Sequence, residues 1–163
     1  MSTDLLSLSA ELGRRLADAG LMLATAESCT GGWISKCVTD VAGSSGWLDR
    51  GFLTYSNAAK QEMLGVAAET LAAHGAVSEP VVREMALGAL ARSRARVAVA
   101  VSGIAGPGGG SPGKPVGTVC FGFALGGRVT TETLHLAGDR DAVRRQSVAH
   151  ALRRLTALLD EAG

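Results

Sequence analysis

The sequence predicts an α/β protein, a three-layer α/β/α sandwich around a mixed β-sheet. Stretches with apolar residues at three- and four-residue spacing alternate with short apolar runs, so helices alternate with strands. One run, Val97-Ala98-Val99-Ala100-Val101, holds no polar residue, as in a strand covered on both faces. Two more strand-like runs joined by Gly126-Gly127 read as a hairpin, which makes the sheet mixed.

The elements follow in order. Leu5, Leu8, Leu12 and Leu16 repeat at helical spacing behind Thr3 or Asp4 as cap, with Gly20 as the stop. Residues 21–26 read as a short buried strand. A helix opens at Gly31 with Thr30 as its cap and runs to about Asp40, before Gly43. Residues 51–55 (Gly-Phe-Leu-Thr-Tyr) read as a second strand. Helices are predicted over 58–64, 69–74 and 79–92, the last with Ser78 as cap and Pro80 where a first-turn proline is tolerated. Strands over 97–101, 116–125 and 129–136 come next. A final helix runs from the cap Asp139 to about Asp160, with Val148, Leu152, Leu155 and Leu159 on its apolar stripe.

A chain of 163 residues fits one compact domain, residues 1–163, without a repeat or linker. Apolar residues make up 47% and aromatics 4%, with 22 glycines, which suits thin, closely packed layers and argues against disorder. The net charge of +1 gives no footprint for nucleic acid, and the Arg94–Arg96 and Arg153-Arg154 clusters fit solvated helix surfaces. No basic segment precedes an apolar run at the start, so no signal peptide is expected, and no apolar run is long enough to span a membrane. Three cysteines without CxxC spacing fit a reducing compartment, so a cytoplasmic location is expected. No His/Cys/Asp/Glu spacing suggests a metal, and no cofactor is expected.

Three segments lie where open α/β sheets bind ligands, beyond strand ends or at helix starts. Ser28 through Gly32 follows the first strand. Its serine suits a nucleophile, and the amides around Thr30, Gly31 and Gly32 suit an oxyanion or phosphate; a plain capped turn would have the same composition. Ser102-Gly103-Ile104-Ala105-Gly106 follows the most buried strand, and Tyr55-Ser56-Asn57 follows the second. A serine needs a base, and His74, His135 and His150 are all placed as structural residues. Tyr55 and Lys60 offer another arrangement if they converge; otherwise they are a packed ring and a solvated helix residue. Cys29 is a rival nucleophile at the same turn. Residues 108–114 match G-x-x-x-x-G-K, but Pro115 stands where a P-loop needs Ser or Thr, and the following segment reads as strand, so an ATPase is not expected. The glycines at 108, 110 and 113 also fit G-x-G-x-x-G, with the same objection. Arg144 falls on the core-facing stripe of the last helix and needs an anionic partner, Asp139, Asp141 or a substrate phosphate; Arg140 is a weaker candidate of the same kind.

Taken together, Thr25-Ala26-Glu27-Ser28-Cys29-Thr30-Gly31-Gly32, Thr54-Tyr55-Ser56-Asn57, Gly75-Ala76-Val77-Ser78, Ser102-Gly103-Ile104-Ala105-Gly106-Pro107, Lys114-Pro115-Val116-Gly117-Thr118-Val119 and Gly138-Asp139-Arg140-x-x-Val143-Arg144 resemble the CinA C-terminal-domain family. The match runs in order through nearly the whole chain. The family's enzymes are nicotinamide-nucleotide amidohydrolases, and in longer relatives this domain follows another, so the chain resembles the stand-alone form. The resemblance implies hydrolysis of nicotinamide mononucleotide to nicotinate mononucleotide and ammonia. It also implies a catalytic set of Ser28, Tyr55 and Lys60. The expected binding residues are Thr30, Gly31, Gly32, Asn57, Ser102, Gly103, Ile104, Ala105, Gly106 and Arg144. The expected partner is this small molecule, with no nucleic acid or membrane, and a homo-oligomer is possible. The competing expectations are a nucleotide-binding module without catalysis, and a serine amidase or esterase on another small substrate.

Overall fold

The computed structural model describes residues 4–162; Met1 to Thr3, with the alternative first cap Thr3, and Gly163 lie outside the described residues. Helix α1 spans Leu5–Ala19, capped by the Asp4 carboxylate on the Leu6 amide, and buries Leu5, Leu12 and Leu16. Its last turn closes by a Leu21 amide bond to the Leu16 carbonyl, which keeps Leu21 out of the sheet. Strand β1 therefore covers Leu23–Glu27 and begins later than the apolar run suggests.

Helix α2 (Trp33–Thr39) and a 3-10 turn at Ser44–Gly46 lead to β2, Leu48–Leu53. This corrects the expected strand at 51–55. Thr54 and Tyr55 lie past its end, because Ser56 caps α3 (Asn57–Leu64) by accepting from the Ala59 amide. Then come α4 (Ala68–His74), α5 (Glu79–Ala91), β3 (Val97–Gly103), β4 (Thr118–Leu125), β5 (Arg128–His135) and α6 (Arg140–Ala162). Ser78 caps α5 as predicted. Strand β4 starts two residues later than expected because Gly117 is left-handed, at φ 96°, and a side chain there would strike the Leu136 carbonyl.

The five strands form one mixed sheet in the order β2-β1-β3-β4-β5, with β2, β1 and β3 parallel and β3, β4 and β5 antiparallel. Its faces differ in residue size. Leu23, Val97, Val99, Val101, Val119, Phe121 and Phe123 meet α1, α2 and α6. Ala24, Ala26, Ala98, Ala100, Cys120 and Ala124 meet α5. The strands thus alternate large and small instead of apolar and polar, as a doubly covered sheet allows. At Gly122 a Cβ would lie 2.5 Å from the Val82 carbonyl oxygen, so the α5 backbone rests directly on the sheet. No helix of the described residues is long and apolar enough to cross a membrane.

From β1 the chain moves to β2 on one side, while β3 lies on the other. A crevice results at the carboxyl ends of β1 and β3, where α/β sheets bind ligands. The Ser28 turn and Ser102-Gly103 border it.

Candidate active site

Ser28 continues β1 by one step, its amide donating to the Val101 carbonyl at 3.1 Å. The hydroxyl projects toward α3, and Lys60 Nζ donates to Ser28 Oγ at 3.1 Å. Nζ also donates to the carbonyls of Thr54 and Tyr55, each at 3.1 Å. Lys60 is 1% exposed, on a helix otherwise buried only at Leu64. Its three oxygen partners are neutral, so burial pushes its pKa below the ordinary lysine value. A lysine in this state gives up a proton readily.

Tyr55 reaches the pair through its main chain. Its carbonyl takes the Lys60 proton donor and lies 3.4 Å from Ser28 Oγ, while the residue as a whole is 62% exposed. Cys29 is buried, and burial pushes its thiol up to about 11, which removes the thiolate a nucleophile requires.

The turn after Ser28 departs from expectation. Thr30 does not cap α2, and the helix does not open at Gly31. Gly32, at φ 98°, precedes the first helical residue, and the amides of Ile34 and Ser35 donate to the Glu27 carboxylate at 2.8 and 2.9 Å. The Thr30 and Ser35 hydroxyls donate to the same carboxylate at 2.6 and 2.8 Å. Glu27, fully buried, thus fills the helix start that the sequence left open for an oxyanion. The Gly31 amide is engaged with the Ser28 carbonyl. The Thr30 and Gly32 amides take no partner among the described residues.

A pocket of about 260 Å³ opens over the pair. Ser28, Tyr55, Asn57, Lys60, Ser102, Gly103 and Ala105 line it, together with Cys29, Ala76, Val77 and Arg140. Thr30, Gly31, Ile104, Gly106 and Arg144 do not line it, and Gly32 lines a separate hollow with Glu27, Ser35 and Leu53. Ile104 bonds to Thr118 and Gly117, and the Gly106 carbonyl accepts from Arg140. Arg144 grips the nucleophile turn, donating to the carbonyls of Cys29 at 3.0 Å and Thr30 at 3.3 Å, with its guanidinium 5.6 Å from the Trp33 ring centre. Those carbonyls, and not Asp139 or Asp141, answer its charge. A larger hollow of about 530 Å³, lined by Leu21, Val97, Leu125 and Leu159 among others, opens at the opposite end of the strands and holds no nucleophile.

The remaining sequence motifs resolve structurally. Lys114 Nζ donates to the His74 carbonyl, so the G-x-x-x-x-G-K lysine holds the end of α4. His150 pairs with Glu132 and stands edge-on to Phe121, and His135 Nδ1 lies 3.3 Å from the Thr118 hydroxyl. Among the described residues no group of His, Cys, Asp or Glu is arranged to hold a metal. Sequence reading missed Glu27 and the Ala76-Val77 wall. The signal for Glu27 was an acid closing an apolar strand just before the turn.

A serine and a lysine hydrogen-bonded to it, buried together beyond the ends of parallel strands under a small pocket, place the chain among α/β domains built around a small-molecule site. The chain belongs to the CinA C-terminal domain family, whose model matches residues 5–159. It is 59% identical over 154 residues to nicotinamide-nucleotide amidohydrolase PncC of Escherichia coli (strain K12), covering 94% of this chain and 93% of that one. A putative competence-damage inducible protein of Symbiobacterium thermophilum is 58% identical over 155 residues, which cover 90% of this chain and 36% of the longer one. The crystal structure of the competence damage-inducible protein A of Klebsiella pneumoniae superposes with a TM-score of 0.95 at 43% identity, covering 98% of this chain and 99% of that one.

Proposed function

We propose that this protein hydrolyses the carboxamide of nicotinamide mononucleotide to nicotinate mononucleotide and ammonia, with Ser28 as nucleophile and Lys60 as its base. The observation that carries the chemistry is the 3.1 Å bond from Lys60 to Ser28 Oγ, with only neutral oxygens around the amine. The substrate follows from relatives named nicotinamide-nucleotide amidohydrolase that match over nearly their whole length. The reading treats residues 1–163 as a single cytoplasmic domain that needs no resident cofactor and acts on a small molecule.

Once Lys60 has lost a proton, the Ser28 hydroxyl turns to donate to Nζ, and Ser28 Oγ attacks the carboxamide carbon while the Lys60 amine takes its proton. The tetrahedral species collapses, Lys60 returns the proton to the nitrogen, and ammonia leaves an acyl ester on Ser28. Water, deprotonated by Lys60, then hydrolyses that ester and restores the serine. The Thr54 and Tyr55 carbonyls aim the amine, and the exposed Tyr55 side chain flanks the pocket with Asn57.

The test is ammonia release from nicotinamide mononucleotide, nicotinamide riboside and nicotinamide. Ser28→Ala is expected to lower turnover by at least 10³-fold with nucleotide binding retained. Near-normal turnover would remove the nucleophile. No release from any substrate by the unaltered protein would favour a binding module.

A further inference from the structure

We infer that Arg140 holds the phosphate of the substrate and sets the preference for a nucleotide over its riboside. The inference rests on the proposed reaction and adds the end of the substrate that does not react.

The pocket lining contains two basic side chains, Lys60 and Arg140, and no carboxylate. Lys60 is buried beside Ser28, so it belongs to the reacting end. Arg140, the first residue of α6, is exposed and lines the same pocket. Its Nη1 donates to the Gly106 carbonyl at 2.9 Å, which fixes the guanidinium and leaves its other N–H donors for a ligand. Of the two carboxylates adjacent in sequence, Asp139 accepts from the Ala142 amide at the helix start, and neither it nor Asp141 lines the pocket. A guanidinium held by one bond, at an acid-free pocket, matches a phosphate dianion through paired N–H donors.

Arg144 does not compete for this role. Its Nε and Nη2 donate to the carbonyls of the Ser28–Thr30 turn, and it lies outside the lining. The two arginines stand one helical turn apart and divide the work. Arg144 is a positioning residue for the nucleophile turn, and Arg140 reads the anionic end of the ligand.

Calorimetric binding to Ser28→Ala protein, with and without Arg140→Ala, tests the anchor apart from turnover. Affinity for nicotinamide mononucleotide is expected to fall about 10- to 100-fold, with affinity for the riboside unchanged. In active protein Arg140→Ala is expected to raise KM for the nucleotide by a similar factor and leave kcat within about threefold, and Arg140→Lys to recover part of the loss. Arg144→Ala is expected to lower kcat equally for both substrates. Unchanged nucleotide binding, or equal weakening of nucleotide and riboside, overturns the anchor. Arginine-dependent nucleotide binding without ammonia release upholds it while the proposed reaction falls.

Discussion

Two charges are buried beside Ser28, and the molecule treats them in opposite ways. Glu27, under α2, is met by two amides and two hydroxyls, so its negative charge is fully answered by donors. Lys60, on the α5 side of the sheet, is met by one hydroxyl and two carbonyls. Donors around the carboxylate tie its oxygens to the turn. Neutral acceptors around an amine leave the charged form short of compensation and favour loss of the proton. One charge therefore fixes the shape of the turn, and the other supplies its chemistry.

The sharpest way to break this contrast is Lys60→Met. Turnover is expected to fall about 10³-fold, the scale of a general base. Stability is expected to hold or rise, because an incompletely compensated buried ammonium gives way to an apolar chain of similar length. A melting temperature that falls along with activity would make Lys60 a structural residue like Glu27. Next in size is Glu27→Gln, which turns an amide N–H₂ toward groups that are themselves donors. A loss of about 3 kcal/mol is expected from broken charge-assisted bonds, or roughly 6–12 °C in Tm by calorimetry. Wild-type stability would show that the carboxylate does not fix the turn.

The smallest effect is a dependence on pH. Because the Lys60 pKa is lowered in the folded state, the unfolded chain binds more protons between that value and the ordinary 10.5. Folding stability then rises with pH across that window, and the penalty is complete below it. Denaturant midpoints from pH 7 to 10 should show the stability gap between Lys60→Met and wild type narrowing as pH rises. A constant gap would mean an amine that keeps its ordinary pKa.

The sequence was most legible where a pattern repeats locally. The leucines of α1, the cap Ser78 and the Val/Ala run of β3 each declare their element within a few residues. Strand β2 was misplaced because Asp49 and Arg50, tolerated on a sheet edge, interrupt its apolar pattern. At the site, Ser28 was visible as a residue after a strand. Its bond to Lys60 joins positions 32 apart and exists only once β2 and α3 are placed. The start of α2 was misread because its cap is Glu27, reaching back from the preceding strand where a local search finds Thr30. The arginines of α6 share a helix turn, and only the packed fold tells which one meets the turn and which the pocket.

The small-residue face of the sheet has a consequence for how mutations read out in this protein. Ala24, Ala26, Ala98, Ala100 and Ala124 are already alanine, so an alanine scan passes over the tightest layer of the molecule without a signal. Enlargement is the informative direction there, since each added methyl crowds the packed layer that holds α5 and against which Ala76 and Val77 of the pocket wall rest. Sequence drift is thus constrained on opposite sides of the same strands by opposite errors, residues too small on one and too large on the other.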